Sequence, residues 1–86
     1  MSGVTVHPGP HRAIKTEYRG PTDHRGSRII ATVLGSGKRF TFPWDHALGP
    51  TENHDVAAVQ ACNKMAWSGE LLGASLNGGG YIYVLR

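Results

Sequence analysis

The side chains of this 86-residue chain that could do chemistry are five histidines, six carboxylates, nine lysines and arginines and one cysteine. A metal site needs ligands that converge at set spacings, such as two histidines one helical turn apart flanking a glutamate, or paired cysteines. His7 and His11 are four apart, but in a segment without apolar periodicity. His24 lies in a glycine-proline loop, and His46 and His54 bracket an expected helix start. No HExxH motif or cysteine cluster accompanies them, so neither metal nor cofactor is expected. Cys62 sits among Val, Ala and Met and reads as a small buried hydrophobe. Ser27, His24 and Asp23 have the types of a hydrolytic triad, but neighbours in one loop rarely converge as nucleophile, base and orienter. Asp45-His46 and His54-Asp55 read as capping and solvated polar residues. Gly35-Ser36-Gly37-Lys38-Arg39 has the glycines and lysine of a phosphate loop. Thr32 and Arg39, however, stand where its first glycine and its Ser/Thr belong, and a strand follows instead of a helix. The expectation is a protein without catalytic residues.

Charge is the stronger signal. Residues 1–39 carry seven cations against Glu17 and Asp23, a formal +5, whereas residues 40–86 carry Lys64 and Arg86 against four carboxylates, a formal −2. Arg19, Arg25, Arg28, Lys38 and Arg39 all come from the junctions of the first strands, where an antiparallel meander would bring some of them together. With Thr22 and His24 they form the expected partner surface. Such a field attracts a polyanion to one half, or an oppositely patterned protein to both halves. Phe40, Phe42 and Trp44 are needed for a core, which leaves Tyr18, Tyr81 and Tyr83 as the rings available to stack on bases.

These residues need elements to position them. Ile14, Thr16 and Tyr18 alternate with Lys15, Glu17 and Arg19, the period of a strand with one wet face. Residues 20–27 form a loop. Residues 28–34 are β-branched and apolar and read as a central strand, covered on both sides or for most of its length. Gly35-Ser36-Gly37 closes a hairpin, and Phe40, Phe42 and Trp44 alternate along a third strand, which Pro43 ends or places at an edge. Thr51 is the expected N-cap of a helix over residues 52–66. Val56, Val59, Cys62, Met65 and Ala66 form its buried stripe with Ala58 between them, and Asn53, Gln60, Asn63 and Lys64 face water. Residues 70–75 and 81–85 then form a second hairpin, which either joins the sheet or makes its own layer. The fold class is α+β: one domain over residues 13–86, βββαββ, with an antiparallel sheet and one amphipathic helix packed on one face. Residues 1–12 read as a flexible tail.

Length and composition agree. The chain is too short for two cores, and 40% hydrophobic against 17% charged residues is enough apolar material for one modest core. Residues 1–12 lack the apolar run of a signal peptide, and no segment reaches the length of a membrane span. A single cysteine suits a reducing compartment, so a cytoplasmic, non-membrane protein is expected. Its oligomeric state stays open.

Tyr18-Arg19-Gly20-Pro21-Thr22-Asp23-His24-Arg25-Gly26-Ser27-Arg28-Ile29, with Phe42-Pro43-Trp44-Asp45-His46-Ala47-Leu48 and Glu52-Asn53-His54 after it, resembles a group of small uncharacterised proteins encoded by phages and other mobile elements. The resemblance covers about residues 14–86, and Y-x-G-P-T-x-x-R-G-S-R-I is its most specific part. It implies no catalytic residues. It does imply a context in which very small domains, anti-CRISPR proteins among them, bind and block a host protein or nucleoprotein complex of a defence system. The acidic half is too weakly charged for nucleic-acid mimicry, so attachment to an acidic or mixed protein surface, or joint contact with the complex and its guide, through residues 20–28 and the basic strand ends is the expectation. A small nucleic-acid-binding accessory protein is the alternative.

Overall fold

The structure is a computed structural model that describes residues 3–6 and 12–86. Five strands and one helix follow in the order β1 (Ala13–Arg19), β2 (Arg28–Val33), β3 (Arg39–Pro43), α1 (Pro50–Lys64), β4 (Leu71–Ser75) and β5 (Tyr81–Leu85). The strands form one antiparallel sheet in the spatial order β3-β2-β1-β5-β4. The second hairpin therefore joins the sheet, because β5 pairs with β1 from Ala13↔Val84 to Thr16↔Tyr81. Most of the expected tail lies outside the described residues. Arg12 belongs to the fold, since its carbonyl accepts the Leu85 N–H at 2.8 Å and its guanidinium lies 5.1 Å from the centre of the Trp67 ring.

Alternation along each strand sends successive side chains to opposite faces. Ile14, Thr16, Ile29, Ala31, Val33 and Tyr83 point to one face and are buried. The register sets Ile14 opposite Val33 and Tyr83, and Thr16 opposite Ala31 and Tyr81. Helix α1 packs on this face over β1 and β2, closing a core of Ile14, Ala31, Val33, Ala61 and Cys62 with Phe40, Phe42, Met65, Trp67 and Leu71 around it. Among the described residues no element covers the other face. β2 lies inside the sheet as expected, but of the two forms of coverage expected for it the both-sided one is not found: Ile29, Ala31 and Val33 are buried, whereas Ile30 and Thr32 on the other side are only half-buried.

The helix departs from expectation at its start and in the face it buries. It starts at Pro50, with Gly49 as N-cap and no side-chain cap. Proline suits a first helical position because its fixed φ is helical and its missing N–H has no partner to lose there. Thr51 instead shares a 2.9 Å hydrogen bond with the Tyr81 hydroxyl. The buried stripe is Asn53, His54, Ala57, Ala58, Ala61 and Cys62, whereas Val56 and Val59 are 41% and 50% exposed. Alanines let the helix axis lie close to the sheet, which the valines would hold off. The helix ends in a left-handed residue, Ala66, at φ 58°. The Ala66 N–H reaches Asn63 O at 3.1 Å and the Trp67 N–H reaches Cys62 O at 2.9 Å, the pair of bonds of a Schellman ending.

Candidate interaction surface

The uncovered face of the sheet gathers the basic side chains that the strands carry outward. Across β3, β2, β1 and β5 one row runs Arg39, Thr32, Lys15 and Ile82, a second runs Thr41, Ile30 and Glu17, and a third runs Pro43, Arg28 and Arg19. Four cations, Lys15, Arg19, Arg28 and Arg39, thus share this face with one carboxylate. Glu17 stands between two of them, 2.9 Å from Lys15 Nζ and 2.7 Å from Arg19 Nη2. The hydrogen bond from the Lys15 ammonium foremost, with the Arg19 guanidinium behind it, holds its carboxyl below the usual range against a smaller opposing effect of burial. Toward β4 the same face turns apolar, with Ile82 in the row of Lys15 and the paired Val84 and Leu72 in the next. Leu72 is 55% and Val84 39% exposed.

The seven residues expected at the partner surface do not form one cluster. The loop 20–27 leaves one end of β2 and the hairpin tip of Lys38 leaves the other. Their separation is the length of that strand, about 17 Å for five steps. Thr22 shapes the loop, its Oγ1 accepting the Arg25 N–H at 3.1 Å and the His24 N–H at 3.4 Å. His24 and Arg25 are exposed at the loop rim, and Lys38 and Arg39 are exposed at the opposite end. Arg28 is partly buried. Its Nη1 donates to the carbonyls of Gly20 at 3.4 Å and Gly26 at 3.3 Å, so it holds the loop to the strand as much as it adds charge to the surface. Lys15, Ile30, Leu72, Ile82 and Val84 were not among the expected contacts. The alternation of Lys15, Glu17 and Arg19 was the signal for the first of these, since it already placed Lys15 on the wet face.

Three of the six carboxylates, Asp45, Glu52 and Asp55, fall on or beside the helix, on the other side of the molecule. Helix α1 carries Glu52 and Asp55 against Lys64, and Asp45 precedes it. The contrast of +5 and −2 between the halves of the sequence thus becomes a contrast between a basic open face and a weakly acidic helix layer.

The tyrosines also lie on the helix side. Tyr18 is T-shaped against Trp44 with ring centroids 5.1 Å apart, and its hydroxyl donates to Ser27 Oγ at 3.0 Å. Tyr81 and Tyr83 line a groove of about 870 Å³ between α1 and the β4-β5 hairpin, with Asp55, Cys62, Trp67 and Leu71. Beside the groove lies a polar network. His54 Nδ1 and Thr16 Oγ1 are 2.7 Å apart, and the Tyr83 hydroxyl donates to Asp55 Oδ1 at 2.6 Å. His54 is therefore not the solvated residue expected. Burial lowers its pKa below the ordinary histidine value, against an opposing pull from Asp55, and burial raises that of the Tyr83 phenol, with the Asp55 bond adding to it. Thr16 is 0% and His54 3% exposed, so a substrate atom reaches neither. The Cys62 thiol is buried, and burial alone raises its pKa, the opposite of an activated nucleophile. Among the described residues no group of three His, Cys, Asp or Glu is placed to hold a metal ion, and no helix is long and apolar enough to cross a membrane.

Comparison of the chain with family models, with curated proteins and with solved structures finds no match.

Proposed function

We propose that this chain is a binding protein rather than an enzyme, and that it docks the open face of its sheet on an acidic and apolar protein surface. The partner, on the resemblance of residues 14–86 to small phage-encoded proteins, is a host defence complex of the CRISPR type, which the bound domain blocks. The observation that carries the reading is the composition of that face: Lys15, Arg19, Arg28 and Arg39 beside Ile30, Ile82, Val84 and Leu72. Apolar side chains bordered by cations match the core and rim of a protein interface. A nucleic acid would be served by rings that stack on bases, and the three tyrosines face the helix side instead. The sealed position of Thr16 and His54 supports a role without catalysis.

The test uses the purified full chain with guide-loaded CRISPR effector complexes and their target DNA. Co-migration with an effector and loss of target cleavage are the expected result. In parallel, a mobility-shift series on bare oligonucleotide in rising salt should show little binding. A strong shift with a steep logarithmic dependence on salt would instead favour the nucleic-acid-binding alternative.

A further inference from the structure

The two edges of the sheet are built differently. Edge strand β3 reads Arg-Phe-Thr-Phe-Pro, and a charged residue and a proline are ordinary guards against strand addition. Edge strand β4 reads Leu-Leu-Gly-Ala-Ser, with neither. Its outward hydrogen-bonding groups follow from the ladder with β5. Glu70 and Arg86 exchange both backbone bonds, at 3.2 and 2.9 Å, and the Leu76 N–H donates to Gly80 O at 2.7 Å. Bonded and non-bonded pairs alternate along an antiparallel ladder. With Leu72 opposite Val84 and Ala74 opposite Ile82, Leu72 and Ala74 therefore turn their N–H and C=O groups toward β5. Leu71, Gly73 and Ser75 turn theirs out of the sheet.

These three residues are symmetric about Gly73. We infer that the occupant of this edge is a second copy of the chain, paired β4 to β4 antiparallel about a two-fold axis at Gly73. In that register Gly73 meets Gly73, Leu71 meets Ser75 and Leu72 meets Ala74. Every outward N–H and C=O on both strands then finds a partner, and each leucine faces a smaller side chain. An isologous contact requires this self-complementarity, and it is the pairing of each leucine with a small side chain, rather than the backbone pattern that any strand shares, that fits a second copy. Electrostatics favour the same occupant. The four open-face cations lie on β1, β2 and β3, and β4 itself carries no charge, with Glu70 and Arg86 of opposite sign side by side at its start, so two copies meet there without the repulsion of their basic faces. Gly73 at the centre is also fixed from within the fold: a Cβ there would come 2.7 Å from Cε2 of the Tyr83 ring. The two sheets of five strands run on as one, with the basic faces at its far ends. This inference does not depend on the proposed partner.

Sedimentation velocity on the full chain over a concentration series should give the mass of a dimer. Ser75→Pro removes an outward N–H and leaves the β4-β5 bonds intact, so it should give a monomer with an unchanged circular dichroism spectrum. Leu72 and Ala74 form the close, non-bonded pair across the axis, a geometry in reach of a disulfide. Leu72→Cys combined with Ala74→Cys should oxidise to a covalent dimer, and Leu72→Cys alone should not. The native Cys62, 6% exposed, leaves the oxidation to the introduced thiols. A wild-type chain that stays monomeric throughout, including one that captures another protein's strand, would overturn the inference. So would a dimer that Ser75→Pro leaves intact. Should Ser75→Pro not fold, the presence or absence of the covalent dimer decides.

Discussion

Asn53 and His54 sit side by side on the buried stripe of α1, where polar side chains persist only with partners. Asn53 Oδ1 accepts the Asp45 N–H at 2.8 Å, and its Nδ2 donates to the carbonyls of Asp45, Leu48 and Gly49 at 3.0 to 3.3 Å, fastening the β3-α1 connection to the helix. His54 is held by Thr16, which lies 38 residues away in sequence. Neither role was legible, because a polar residue near a helix start normally faces water and its tertiary partner leaves no local pattern. The burial of His54 has a consequence with a definite sign. Its folded-state pKa lies below the ordinary value of 6.5, so the unfolded chain binds the proton more readily. The contribution is complete above pH 6.5 and is lost as pH falls from there through the lower, folded-state value. Urea midpoints at pH 7.5, 6.0 and 5.0, above the main range of carboxylate titration, should therefore decrease in that order. His54→Gln, which can still hydrogen-bond Thr16, should flatten the trend, and an equally steep trend in that variant would place its origin elsewhere.

At the scale of elements the order βββαββ was legible almost residue by residue. Period-two alternation marked β1 and β3, glycine turns marked both hairpins, and Pro43 correctly ended an edge strand. The helix was also legible as an element, but its orientation was not. Two stripes at helical spacing compete on it. The one with the larger apolar residues, Val56 and Val59, lost to one built from Ala57, Ala58 and Ala61. The close approach of helix to sheet decides between them, and hydrophobicity alone cannot rank the two. The helix end was read two residues too long for a related reason: Ala66 completes the hydrogen bonding of the ending but in a left-handed conformation. That conformation costs an L-residue about 1 kcal/mol, and glycine avoids the cost. Ala66→Gly should therefore raise unfolding stability by roughly 0.5 to 1 kcal/mol in urea titration. Were Ala66 part of a continuing right-handed helix, the same substitution would lower stability by about that amount.

For the molecule as a whole, composition showed that charge was segregated but not along which axis. The candidates were chosen by proximity in sequence, from the loop 20–28 and the hairpin tip, and the strand between them sets those groups at opposite ends. What joins them is the open face, a consequence of register: Arg39, Thr32 and Lys15 become neighbours through pairings that no local pattern announces. The two versions of the surface separate experimentally. If the face binds, reversing Lys15 and Arg39 together should weaken association with the captured partner by about tenfold or more. Exposed pairs contribute about 0.5 to 1 kcal/mol each, and reversal replaces attraction with repulsion. Arg25→Glu, at the loop rim, should then act mainly on the association rate and lose its effect as salt screens it. Neither change touches the core, since Lys15 and Arg39 point away from the helix and Arg25 is exposed. Thermal unfolding should therefore stay close to the parent value and show that any loss is one of binding. Binding unaffected by the face reversal but abolished by Arg25→Glu would return the contact to the loop alone.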